Sequence, residues 1–336
     1  MRILNKILLG LCVLVIGACS QSSLQSSAEK TKEGSSAWMQ ENGKIKVLST
    51  VRMIDDVVAE IGKDRVDRMT LIYGEIDPHS YELVKGDDEK MDFAQVIFYN
   101  GLGLEHGASL SYRMQKHPNA IAVAEAVRHN FPEKILTHGG QVDPHLWMDI
   151  SLWVKTIDPI VQALTDLSPK DGEMFRANGE NLKERMLAVH KEIAASLQAI
   201  PQEKRFLVTS HDSFHYFTRA YLNENSGHEE GDWKTRYIAP EGLAPDAQIS
   251  PADIQAVLAY LVAHRVNTVF SESNISRDAL RKIVEASTAK GWPVQIASMN
   301  LHSDAMGGKE TEAGTYLGMM HHNMRVMVEA WKNPEN

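Results

Sequence analysis

The triplet Asp-Pro-His occurs twice in this chain, as Asp77, Pro78 and His79 and again as Asp143, Pro144 and His145. A neutral imidazole is the commonest transition-metal ligand, and a proline beside it stiffens the turn and lowers the ordering cost of binding. The aspartate of each triplet is placed to accept the second ring N–H of a ligating imidazole, which fixes the ring's orientation. His211 follows 206–210, which read as a buried strand, and Asp304 lies in a Ser-Asp-Ala-Met-Gly-Gly loop at 303–308. A single His or Asp in a loop is ordinarily just solvated. Two repeated triplets with two further donors in comparable positions form a three-nitrogen, one-carboxylate set suited to a divalent transition metal.

Other histidines carry weaker signals. His211 and His215 are four apart and could share a helical face, as in H-E-x-x-H metallopeptidases, so a metal-dependent hydrolase is the alternative reading. Asp212 stands where that motif needs glutamate and is short for a general base, and four protein ligands leave no open coordination position. The expectation is therefore carriage of metal, with no enzyme activity. His215 is expected to pack or face solvent, and His321 and His322 to decorate the last helix. Met319, Met320, Met324 and Met327 have helical spacing and read as core. His228, Glu229, Glu230 and Asp232, in a polar stretch at 224–236, read as a solvated loop.

The elements that must position the four donors alternate. Strands are expected at 46–51, 69–73, 95–99 and 120–124, with a helix at 54–61 stopped by Gly62. This is α/β organisation with mostly parallel sheets, whose ligands bind beyond the carboxyl ends of strands. Ser168, Pro169 and Asp171 signal a helix start. Apolar residues at Phe175, Leu182, Met186, Val189, Ile193 and Leu197 keep helical spacing to Pro201, with Gly179 a weak point. A second series follows, with strands at 206–209, 268–270 and 294–297 and helices from Pro251, Arg277 and Thr315. The expected architecture is two Rossmann-like lobes, 44–167 and 201–336, joined by one long rigid helix at 168–200. The donors would lie in the cleft between the lobes, two from each side.

Six segments carry a resemblance over nearly the whole mature length: DPHSYE at 77–82, DPHLWMD at 143–149, TSHDSFHYF at 209–217, ISPADI at 249–254, FSES at 270–273 and SDAMGGKETEAGTYLGMM at 303–320. The chain resembles the metal-binding class of solute-binding proteins of ABC importers, the TroA, ZnuA and PsaA group. The resemblance implies that His79, His145, His211 and Asp304 hold one transported ion, zinc or manganese with iron as a further candidate, and that the partner is an ABC-transporter permease in the cytoplasmic membrane. Some relatives serve as surface adhesins, which supplies a further alternative. Zinc-specialised relatives often carry a long His-rich loop before the second triplet, where this chain has only Thr137, His138, Gly139, Gly140, Gln141 and Val142. Some manganese-specific relatives place a carboxylate where this chain has His211. Glu272, at the end of a strand facing the expected cleft, is a candidate partner for a ligand histidine.

The N-terminus places this machinery outside the cytoplasm. Arg2 and Lys6 precede an apolar run at 7–16, and Ile16, Gly17, Ala18 and Cys19 resemble a lipobox. Residues 1–18 read as a signal peptide, Cys19 as the lipidated residue anchoring the chain to membrane lipid, and 19–43 as anchor and flexible tether, whose polar stretch 20–37 has a reach of roughly 25 Å. Cys12 falls in the removed segment, so no disulfide forms within the mature chain, which is expected to be a monomer. Removing 1–18 takes away two positive charges and no negative one, moving the formal net charge from -9 to about -11. So acidic a surface disfavours nucleic acid as a partner. With 43% apolar and 24% charged residues, the remainder is globular.

Overall fold

A computed structural model describes residues 36–223, 233–245 and 249–332. The signal peptide, Cys19, most of the tether and the acidic stretch 224–232 lie outside the described residues. The fold occupies Lys44–Asn336, a compact unit by itself.

Strand β1 (Ile45–Ser49) is buried along its whole length, as a strand with parallel neighbours on both sides must be. It is flanked by β2 (Val66–Thr70) and β3 (Val96–Tyr99), and β4 (Ala120–Ala122) completes a parallel sheet in the order β2-β1-β3-β4. The helices between them are α1 (Arg52–Gly62), α2 (Asp87–Phe93) and α3 (Ala108–Lys116), with α4 (Val123–Asn130) following β4. Sequence periodicity set β2 three residues too late, at 69–73. Its central residues are Asp67 and Arg68, polar side chains that an edge strand tolerates: Lys46, itself buried, reaches Asp67 at 2.7 Å, and Arg68 pairs with Asp55. The expected strand 120–124 is likewise cut short, because Val123 already begins α4.

A small hairpin of β5 (Thr137–His138) and β6 (Gln141–Val142) turns through Gly139 and Gly140, both at positive φ as a two-residue hairpin turn requires. Short α5 (Ile150–Trp153) and α6 (Ile157–Leu167) then lead to α7 (Gly172–Gln198), an unbroken helix about 40 Å long. Ser168 does not cap α7. Its hydroxyl donates to Asp171, and a 3-10 turn over Pro169–Asp171 precedes the helix. Gly179 does not interrupt α7 either: a Cβ there would lie 2.8 Å from Val161 Cγ2, so the glycine permits close approach of α6.

Beyond α7, β7 (Leu207–Val208) pairs with β8 (Tyr237–Ile238), and β9 (Thr268–Val269) with β10 (Gln295–Ile296), all parallel. Phe270 N–H donates to Val208 O at 2.8 Å and brings the two ladders side by side. The resulting order, β8-β7-β9-β10, repeats that of the first sheet. Helix α8 (His215–Phe217) continues into a π turn over Thr218–Leu222. Then come α9 (Pro251–Ala263), α10 (Asp278–Ala289) and α11 (Tyr316–Lys332). Ser250 and Asp253 form a reciprocal capping box on α9.

One hydrophobic core runs from Val47 and Phe98 in the first sheet, through Phe175, Leu182, Met186, Ile193 and Leu197 of α7, to Leu207, Phe270 and Trp331. A smaller core around Val208, Val257, Leu261 and Ile283 lies within the second half. Met319, Met320 and Met327 are buried in the large core, with Met324 packed against it. Among the described residues no helix is long and apolar enough to cross a membrane.

Candidate metal centre

Both Asp-Pro-His triplets fold into the same turn. The backbone N–H of His79 donates to Asp77 Oδ1 at 2.9 Å, and that of His145 to Asp143 Oδ1 at 2.9 Å. Such a side-chain-closed turn exposes the imidazole on a fixed base. The second aspartate goes further, since Asp143 Oδ1 also lies 2.7 Å from His145 Nδ1 and so directs Nε2 inward. Asp77 does not do this. Its second oxygen accepts from Ser80 Oγ at 2.6 Å, so it serves the turn alone. Asn100 Nδ2 donates to Pro144 O at 3.0 Å and ties the second triplet to the end of β3.

His211 follows β7 in an isolated parallel bridge with Glu241. Glu272, beyond β9, accepts the backbone N–H groups of Ser210 and His211 at 2.9 and 3.0 Å, and its other oxygen lies 2.7 Å from His211 Nδ1. Asp304 lies beyond β10. Its loop is held by Trp147 Nε1, which donates to Ser303 O at 2.9 Å, and by Arg52 of α1, whose guanidinium reaches Gly307 O and Gly314 O at 2.5 and 2.8 Å.

These elements bring four buried side chains to one point. His79 Nε2 is 3.2 Å from His145 Nε2, and Asp304 oxygens lie 3.7, 3.4 and 3.0 Å from Nε2 of His79, His145 and His211. Donors bonded at about 2.0–2.1 Å to a tetrahedral ion are separated by about 3.3 Å, so the set already has the size of a coordination shell. His211 Nε2 and Asp304 approach closely but off the axis of a hydrogen bond. Neither oxygen of Asp304 nor Nε2 of His211, the ring nitrogen turned toward the other donors, has a well-aligned hydrogen-bond partner among the described residues. Buried polar atoms left so are costly, and a cation at their common focus satisfies them.

The electrostatics agree. Burial pushes the His79 imidazole down to about 3, with His145 and His211 adding to the effect and Asp304 opposing it. Burial by itself would lower His211 and raise Asp304, but the opposite charges beside them win. Glu272 first and Asp304 second hold His211 well above the usual imidazole value, and His211 in turn holds Asp304 well below the usual carboxylate range. Asp143 and Glu272 are depressed too: burial opposes ionisation, but the adjacent histidines outweigh it. Three ionised carboxylates thus surround a cluster of imidazoles, a field that favours a multivalent cation.

Sequence reasoning missed several residues. Glu105, buried beyond β3, accepts from Thr50 Oγ1 and from the Asn100 and Gly101 backbone, the counterpart in the first sheet of Glu272 in the second. The equivalent strand ends are legible only once both sheets are seen to share one order. Trp147 adjoins the second triplet, yet its bond to Ser303 spans 156 positions. His215 neither packs inertly nor simply faces solvent, since its Nδ1 lies 3.1 Å from Asp143 Oδ2. His321 sits 3.4 Å from Glu192 and His322 3.0 Å from Asn300 O, so both have partners.

The family described as ZnuA, zinc-uptake complex component A periplasmic, matches residues 47–330. Metal-binding protein YtgA of Chlamydia trachomatis is 40% identical over 285 residues, 85% of each chain. Its Fe(III)-bound crystal structure superposes with a TM-score of 0.80, covering 86% of this chain and 98% of that one at 39% identity. Manganese-binding lipoprotein MntA of Bacillus subtilis is 33% identical over 86% of this chain and 90% of its own length. The periplasmic zinc-binding protein TroA of Treponema pallidum superposes with a TM-score of 0.77 at 30% identity, covering 86% and 99%.

Proposed function

The chain belongs to the periplasmic zinc-uptake component A family, and we propose from that premise that His79, His145, His211 and Asp304 hold the ion it carries. The protein is an extracytoplasmic solute-binding component that captures a divalent transition metal and delivers it to an ABC-type metal importer. Zinc, manganese and iron are the candidate ions. The observation that carries the reading is the convergence of four buried donors at coordination spacing, two from the chain before α7 and two from the chain after it.

Capture follows from the residues. His79 is a free base at neutral pH and offers Nε2 at once, whereas His211 gives up a proton as the ion takes its place beside Asp304. Asp143 and Glu272 keep the rings of His145 and His211 facing the ion. Segments 44–167 and 201–336 act as the two lobes, with 168–200 as the linker between them. Docking on the permease loosens one side and opens the shell. Cys19 carries the lipid anchor, and the protein works as a monomer without enzyme activity. A hydrolytic pairing of His211 with His215 lacks support, because His211 precedes the helix that begins at His215 and the two rings face different carboxylates.

The test is calorimetric titration of the metal-stripped protein with zinc, manganese and ferrous iron, beside His211→Ala and Asp304→Ala. One tight equivalent, weakened in both variants, is expected, together with loss of metal uptake in cells carrying Asp304→Ala. Unchanged affinity and uptake in that variant would sink the assignment.

A further inference from the structure

We propose a second divalent transition-metal site, formed by His138, Asp212 and His215 in the open cleft of about 760 Å³ beside the four-donor centre. His138 comes from the β5–β6 hairpin next to the Gly139–Gly140 turn, and Asp212 and His215 from the segment just beyond β7. The two imidazoles stack, with centroids 4.6 Å apart and planes 27° from parallel. Both present Nε2 to one carboxylate: His138 lies 3.3 Å from Asp212 Oδ2 and His215 4.0 Å from Oδ1. One donor atom from each residue falls within 4.8 Å of the others.

The same aspartate that orients a ligand of the first centre orients one here. Asp143 holds His145 Nδ1 with one oxygen and His215 Nδ1, at 3.1 Å, with the other, which leaves Nε2 of His215 available for a metal. Two imidazoles and one carboxylate on adjacent positions, with the remaining positions open to water, form a three-donor face that accepts zinc, iron or manganese. The His138 side chain is 54% exposed, while those of Asp212 and His215 are 10% and 12% exposed. One solvent-exposed ligand and a shell of three donors make this the weaker and faster-exchanging site. The site itself does not rest on the carrier reading above.

Calorimetric titration of the detergent-solubilised, metal-stripped full chain with Zn2+ tests this on the wild type, His138→Ala and His211→Ala. The wild type should take two equivalents, the second weaker by roughly 100-fold or more. His138 touches none of the four primary donors and lies on an exposed hairpin, so His138→Ala should keep the tight equivalent and lose the weak one. His211→Ala should weaken the tight equivalent and retain the weak one. Saturation of the wild type at one equivalent, or survival of the weak equivalent in His138→Ala, overturns the second site. A tight equivalent untouched in His211→Ala would instead overturn the four-donor reading, with His138→Ala still deciding the second site.

Discussion

Asp143 and Glu272 determine which nitrogen of His145 and of His211 faces the centre, so either can be altered without removing a donor. Glu272→Gln keeps the shape but loses the charge beside His211 Nδ1. Zinc affinity should fall by about 10- to 100-fold with unchanged stoichiometry, measured by chelator competition. Unaltered affinity would mean that Glu272 only ties down the Ser210–His211 backbone. The pH dependence follows from His211, which Glu272 and Asp304 hold above 6.5 in the metal-free protein against the lowering effect of burial. Binding displaces that proton, so affinity should drop by about tenfold per pH unit as pH falls below the raised value, with the decline beginning above 6.5. His79, pushed down to about 3 by burial, adds no second proton until far lower pH. The protonated His211 also stabilises the metal-free fold: this contribution is complete below 6.5 and lost as pH rises through the raised value. Metal-free Tm should therefore fall across that window while the Tm gain on adding zinc grows. A pH-independent affinity there would contradict the assignment.

Helix α7 is the element on which both halves of the fold are built, and its periodicity was legible because every buried position recurs on one stripe. Gly179 was read as a weakness, since helix propensity is local and the reason for the glycine is not. Val161 and Ile157 of α6 occupy the space a side chain would need. Gly179→Leu should cost about 1–3 kcal/mol through overpacking, despite the better helix propensity of leucine. Thermal unfolding should show the lower Tm, and metal stoichiometry should stay unchanged. Strand β2 was misplaced for a related reason: edge position, set by pairing with β1, lets Asp67 and Arg68 occupy a strand whose sequence lacks a hydrophobic signal.

At the scale of the whole molecule, one apolar core threads both sheets through α7, and Trp147 and Arg52, which precede that helix in the chain, fasten the Asp304 loop that follows it. Opening the halves widely would expose residues worth about 1.5–3 kcal/mol each, so the empty and loaded forms should differ little. Small-angle scattering should show the radius of gyration changing by less than about 1 Å on zinc binding. A larger contraction would indicate hinge closure. The anchor is tested at the same scale: Cys19→Ser should move the protein from the membrane fraction to the soluble extracytoplasmic fraction, and continued membrane retention would argue against lipidation at that residue.

The alternating α/β order, the long helix and the chemical nature of the four donors were determined by the sequence alone. Each is written in local signals: periodicity, turn residues and the side-chain types that can ligate a metal. Which of the candidate groups stands behind which donor was decided only by the tertiary structure. Glu272 was legible as a candidate from its place at a strand end, but its pairing with His211, 61 positions away, and the bond of Trp147 to Ser303, 156 away, lie at separations at which no local pattern carries information. The division of labour between the two aspartates of the repeated triplet belongs there too. Asp77 and Asp143 are each followed by Pro-His and close the same turn. Ser80 takes the second oxygen of Asp77, whereas Asp143, with Leu146 at the matching position and no exposed surface, reaches the rings of both His145 and His215.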